Sequence, residues 1–209
     1  MRKSIFTLAL AATCMLSCAQ ETISLPAPNT GNEYNMSVLQ ALKQRRSERA
    51  YADTQLSDQQ LSTILWAACG ISDEKTGKIT APSAMNQQDI TVYVCRKDGA
   101  WRYDNKANSL IKVSDKDLRG AVASRQEFAA TAPVSIVIVS DQSKYNEAKA
   151  VEFGGISTGY VSQNIYLACT AMGLSTVARA TMDEAVLRKE LQLKDTDRIM
   201  LNHPVGKKK

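Results

Sequence analysis

The sequence predicts an α+β domain. Three observations carry that reading. Strand-like and helix-like segments follow one another without the regular strand–helix–strand alternation of a parallel sheet. Val134-Ser135-Ile136-Val137-Ile138-Val139 is nearly all apolar over one strand length, as a central strand covered on both faces must be. Residues 152–173 form the longest helical stretch. There Gly154, Gly155, Gly159, Ala168 and Ala171 accompany Ile156, Tyr160, Val161, Ile165, Leu167 and Met172, so the helix is apolar or small nearly all round and is expected to be buried on most sides. No internal repeat is visible.

The chain has 209 residues, which fits one domain with a sizeable core. Its first residues read as an export leader, not as part of the fold. Arg2 and Lys3 give a positive start, and residues 5–16 are apolar but too short to span a bilayer as a stable helix. Two processing routes fit. Ser17-Cys18-Ala19 presents small residues for cleavage before Gln20, and Leu16-Ser17-Cys18 also resembles a bacterial lipobox with Cys18 as the lipid-bearing residue. We therefore expect a leader over 1–19, an exported (periplasmic or lipid-anchored) protein, and a folded domain over 36–209. Pro26, Pro28, Asn29, Gly31 and Asn32 make 20–35 read as a flexible tether.

In order, the first helix is expected over 36–45, with Val38, Leu39 and Leu42 on one side. Ser57 and Gln60 form a capping box for a second helix ending at Gly70. Residues 71–81 read as a polar loop. Ile90 to Cys95 alternates and is β-branched, hence a strand. Asp98-Gly99 turns the chain into Trp101-Arg102-Tyr103, and 109–113 is a further short strand. Helices are expected from Ser114 to Ala123, over 125–130, and over 144–149 at the surface. After the long helix come a short strand over 174–178, a helix capped by Asp183, and a last strand over 197–203.

The net charge of +5 is mild, and it belongs mainly to Arg2, Lys3 and the Lys207-Lys208-Lys209 tail, so no nucleic-acid footprint is expected. Beyond the leader stand three cysteines, Cys69, Cys95 and Cys169, each in an apolar segment. They read as core residues and not as a disulfide framework. With His203 as the single histidine there is no zinc cluster in the pattern, and no metal is expected.

Two segments carry chemistry. Arg45-Arg46-Ser47-Glu48-Arg49 places three guanidinium forks and a hydroxyl at the end of a helix, a candidate phosphate site. The competing reading is a solvated basic patch. Pro82-Ser83-Ala84-Met85-Asn86-Gln87-Gln88 is a polar loop leading into a strand. Its Asn86 and Gln88 amides suit a heterocycle with alternating carbonyl and N–H groups. The competing reading is a turn bonded to its own backbone. Gly154-Gly155-Ile156-Ser157-Thr158-Gly159 has neither phosphate-loop spacing.

Taken together, these positions resemble the nitroreductase family of flavoenzymes. Arg45-Arg46-Ser47-x-Arg49 resembles the family's opening motif, which holds the FMN phosphate and ribityl chain. Pro82-Ser83-x-x-Asn86-x-Gln88 resembles the segment that meets the isoalloxazine. Gln163-Asn164-Ile165-x-Leu167 with Gly173-Leu174 resembles the central helix and its exit, and Val205-Gly206 the end of the last core strand. The resemblance implies a central, mostly antiparallel sheet flanked by helices, an intertwined homodimer, and FMN bound at its interface. It implies hydride transfer from NAD(P)H or another donor, through FMN, to a nitroaromatic, quinone or similar acceptor. Arg45, Arg46, Ser47, Arg49, Ser83, Met85, Asn86 and Gln88 would bind the cofactor, and no side chain need act as an acid or base. Ala180-Thr181 stands where many members have Glu-Gly against flavin N5. Lys207 is the residue available for the basic group that many members return to the phosphate from a longer C-terminus. Two alternatives share the fold: a catalytically silent, tethered flavin carrier, and a dehydrogenase of peptide thiazolines or oxazolines.

Overall fold

The computed structural model describes residues 20–31, 33, 34 and 36–209; the expected leader lies outside them. The main sheet has seven strands: β1 (Thr22–Ser24), β4 (Ile90–Arg96), β5 (Gly99–Asp104), β6 (Ser109–Ser114), β7 (Val134–Asp141), β8 (Leu174–Thr176) and β9 (Asp197–Lys207). Their spatial order is β1-β6-β5-β4-β7-β9-β8, and each neighbouring pair is antiparallel. Two short strands, β2 (Ile71–Asp73) and β3 (Lys78–Ile79), form a separate hairpin. The helices are α1 (Val38–Gln44), α2 (Asp58–Cys69), α3 (Arg119–Ala123), α4 (Glu127–Ala130), α5 (Glu147–Ala171) and α6 (Glu184–Glu190).

The alternation of side chains along β4 and β7 explains why both read as continuous apolar runs. Val92, Val94, Ile136 and Ile138 face one core, shared with Leu61, Ile64 and Leu65 of α2 and Val161, Ile165 and Cys169 of α5. Tyr93, Cys95, Val137 and Val139 face the other, shared with Val122 of α3 and Leu187 of α6. The sheet is therefore sandwiched between helical layers, as the α+β expectation requires. Cys69, Cys95 and Cys169 are buried, and burial pushes the Cys69 and Cys95 thiols up to about 12 and Cys169 higher still.

Several elements differ from the sequence reading. The tether expected over 20–35 is, in its first part, a sheet edge. Ile23 sits opposite Leu110, Leu25 is buried, and the Ser62 hydroxyl donates to Pro26 O at 2.6 Å. The Thr-Ile-Ser-Leu alternation at 22–25 was masked by the prolines that follow. The polar loop over 71–81 contains the β2–β3 hairpin. The expected 144–149 helix is not separate, because Asn146 caps α5 directly, its side chain accepting from Lys149 N–H. α1 starts at Val38 because Ser37 and Gln40 form a capping box. β9 continues four residues beyond His203, through Pro204, which stands opposite Ser135. At the start of α5, helix and sheet meet closely: a Cβ at Gly154 would lie 2.5 Å from Ser140 Oγ.

Candidate cofactor site

Arg45 ends α1, its backbone N–H closing on Ala41 O at 2.8 Å. The chain then runs extended along the β8 end of the sheet. Glu48 N–H donates to Thr176 O at 2.9 Å, and Ala52 N–H to Lys207 O at 2.9 Å. Glu48 fastens this run. Its carboxylate accepts from Ser175 Oγ at 2.8 Å and pairs with Lys208 Nζ at 3.0 Å. Burial opposes its ionisation, but the hydrogen bonds from Lys208 and Ser175 prevail and hold the carboxyl below its usual range. With Glu48 turned to the sheet, Arg46, Ser47 and Arg49 are left exposed and Arg45 half-buried.

One residue of α5 organises the other side. Tyr166 is buried, and its ring lies 4.9 Å beneath the Arg45 guanidinium. Its hydroxyl is 2.9 Å from Ser47 Oγ and accepts the Ala178 N–H at 2.8 Å. Behind it stands His203, edge-on at 5.1 Å. The phenol thus joins the arginine segment to the chain leaving β8, just before Ala180 and Thr181. A second ring does the same: Phe128 of α4 lies 6.0 Å from the Arg49 guanidinium and 5.7 Å from that of Arg179. Arg179 is buried, Ala180 and Thr181 are exposed, and the Thr181 carbonyl accepts from Arg179 Nη2 at 3.1 Å.

The charge at this end is lopsided. Arg45, Arg46, Arg49 and Arg179 have no carboxylate partner among the described residues. Glu48 is already matched by Lys208. A phosphate-bearing cofactor fits such a surplus. Lys207 is exposed at the end of β9, while the tail lysine tied to the arginine segment is Lys208. A cleft of about 340 Å³ opens here, lined by Arg46, Glu48, Thr176 and Lys208 among others.

The amide loop is built elsewhere. Met85, Asn86 and Gln88 adopt φ of 53°, 53° and 47°, although none is glycine. Left-handed backbone at three positions in four costs on the order of 1–3 kcal/mol each and must be held by neighbours. Ser83 Oγ accepts Gln88 N–H at 2.8 Å, and Gln88 Nε2 donates to Gly77 O of the β2–β3 turn at 2.9 Å. Beneath it, buried Asp89 accepts from Ser140 Oγ at 2.7 Å and Tyr145 OH at 2.8 Å. Asn86 and Met85 stay exposed, Met85 at 72%.

The register of the sheet separates the two segments. Val134 of β7 faces Val205, which faces Thr176, level with the arginine segment. Ser140 of β7 faces Ile90, where the amide loop enters. Six residues of antiparallel strand lie between, roughly 20 Å at ~3.4 Å per residue. The structure brings Arg45, Ser47 and Arg49 together with Ala180 and Thr181, and places Ser83, Met85, Asn86 and Gln88 at the opposite end.

A profile of the nitroreductase family matches residues 42–207, from the end of α1 to the end of β9. The chain belongs to the nitroreductase family. It is 30% identical over 179 residues to a protein of Methanocaldococcus jannaschii that bears a nitroreductase name, covering 80% of this chain and 89% of that one. A crystal structure from Ralstonia eutropha, also bearing a nitroreductase name, superposes with a TM-score of 0.81 at 28% identity, over 93% of this chain and 92% of the other. A nitroreductase family protein of Clostridium novyi shares the fold at a TM-score of 0.62 and 21% identity, over 83% and 86%. Within this nitroreductase-family chain, the sequence reading missed Tyr166, Phe128 and Arg179. Neither ring stands at a defining position of a motif, and an isolated arginine offers no spacing to recognise.

Proposed function

We propose that this nitroreductase-family chain is an FMN-dependent oxidoreductase whose site is completed by a second copy. The carrying observation is that Arg45, Arg46 and Arg49 have no carboxylate partner among the described residues, while Tyr166 under Arg45 and Phe128 near Arg49 tie the segment to the chain that leads into Ala180-Thr181. Arg45, Arg46, Ser47 and Arg49 hold the phosphate and ribityl chain, with Lys207 at the same end of the sheet. The exposed backbone at Ala180-Thr181 lies against the flavin. Bound FMN supplies the redox chemistry, from NAD(P)H or another donor to a nitroaromatic, quinone or similar acceptor. The phosphate-binding groups and Ala180-Thr181 share one end of the sheet, and the chain's own amide loop stands about 20 Å away at the other, too far to join them. The Ser83, Met85, Asn86 and Gln88 that meet the ring then come from the other protomer of a homodimer. The decisive test is the visible spectrum of the protein from Gln20 onward, before and after NADH or NADPH. Bound oxidised flavin that bleaches is expected. Flavin that binds without bleaching points to another donor or to a carrier, and absence of flavin after incubation with FMN refutes the reading.

We also propose that the protein works outside the cytoplasm, held by lipid on Cys18. The leader pattern over residues 1–19 supports this. β1 begins at Thr22, so the chain from Cys18 reaches at most roughly 14 Å before it joins the sheet. The domain would sit against the membrane and not on a long tether. Cys18→Ser is expected to abolish lipid labelling and release the protein to the soluble fraction; unchanged membrane association removes the lipid anchor.

A further inference from the structure

Arg179 is 7% exposed, and all five of its guanidinium N–H groups are used. Nε donates to Gln126 Oε1 at 2.7 Å, Nη1 to Val122 O at 3.1 Å and Asn202 Oδ1 at 2.8 Å, and Nη2 to Ala123 O at 2.8 Å and Thr181 O at 3.1 Å. Every acceptor is neutral. The two side chains among them are amides, Gln126 and Asn202, where the corresponding acids would have neutralised the charge. The guanidinium is therefore oriented without being cancelled. Burying a cation without an anion is costly, and a neutral or paired residue would tie α3 and α4 to β9 at less cost. Burial also depresses the Arg179 pKa, a tendency that nearby Tyr51 opposes.

We propose that Arg179 is a positioning residue of the cofactor site, whose uncompensated charge stabilises the additional negative charge left by two-electron reduction of a flavin at Ala180-Thr181. This rests on the flavin reading above. A hydride brings two electrons and one proton, leaving the nicotinamide donor oxidised and one further negative charge in the site. A fixed cation at its edge, held by neutral dipoles in a water-poor setting, favours that state over the oxidised one. Through the bond from Nη2 to the Thr181 carbonyl, the same side chain sets the backbone on which the ring would rest.

The experiment is a flavin midpoint potential, measured by equilibration with a reference dye in the wild-type protein, Gln126→Glu, Arg179→Gln and Arg179→Lys. Gln126 is exposed, so Gln126→Glu neutralises the guanidinium with little risk to the fold. Gln126→Glu and Arg179→Gln are expected to lower the equilibrium constant for reduction at least tenfold, about 30 mV for a two-electron couple. Arg179→Lys, which keeps charge but loses the five-fold bonding, should stay within threefold of wild type. A scaffold role alone predicts the reverse: Arg179→Lys and Arg179→Gln equally destabilised, with potentials unmoved. Equal potentials in wild type and Gln126→Glu overturn the inference while leaving flavin binding intact. A wild-type protein that binds no flavin overturns the functional reading, and this role with it.

Discussion

At the scale of single residues, His203 shows how the core supports the site. It is fully buried, with Nε2 2.8 Å from Ser162 Oγ and Nδ1 3.1 Å from Thr176 Oγ1. A neutral imidazole offers one N–H and one acceptor, and each hydroxyl can serve either. Burial pushes its pKa from 6.5 down to about 3. In the unfolded chain the ring takes up a proton below about pH 6.5, while in the fold it does so only near pH 3. The unfolded state therefore binds more protons across that window, and folding stability falls as pH falls from 6.5 towards 3. Between pH 7 and pH 5 this one group should remove about 2 kcal/mol, approaching 1.4 kcal/mol per pH unit. Urea unfolding across that range, in wild type and His203→Gln, reads the difference in slope. Parallel slopes would show that the ring does not stay neutral in the fold.

At the scale of elements, legibility followed locality. The Ser57–Gln60 capping box, the Asp98-Gly99 turn and the apolar run of β7 were readable because each depends on residues close in sequence. The arginine and amide segments were readable as motifs. What they do in space was not. The left-handed backbone at Met85, Asn86 and Gln88 has no glycine to announce it, and is held by Gly77 and Ser83 and by the buried Asp89 beneath. Arg179 was invisible because three of its acceptors lie 53 to 57 residues earlier in the chain. For β9 the residue pattern alone reached only His203, and the resemblance placed the strand's end at Val205-Gly206, one residue short of Lys207; a proline is unusual inside such a strand. Yet the ladder to β7 runs through Pro204, and Val205 and Gly206 then pair with β8.

At the scale of the whole molecule, the apolar side of α1 faces outward. Val38, Leu39 and Leu42 are exposed, Leu39 at 78%, as are Val151, Ile156 and Tyr160 of α5. Apolar surface concentrated on two neighbouring helices suits a protein partner, and the second copy proposed above would be such a partner. If each site takes its arginine segment from one protomer and its amide loop from the other, two defective chains can repair each other. Arg45→Ala with Arg49→Ala should abolish FMN binding in one homodimer, and Asn86→Ala with Gln88→Ala should weaken it strongly in another. In the mixed dimer, one site receives both defects and the other receives neither. Unfolding and refolding the two variants together at equal amounts gives mixed dimers as half the population. About one quarter of all sites should then regain wild-type FMN affinity, by the statistics of a two-fold assembly. A site contained within one chain gives no recovery at any mixing ratio, because every site then carries one defect or the other. Recovery of a quarter, measured by flavin fluorescence quenching, would therefore fix both the dimer and the division of the site between its protomers.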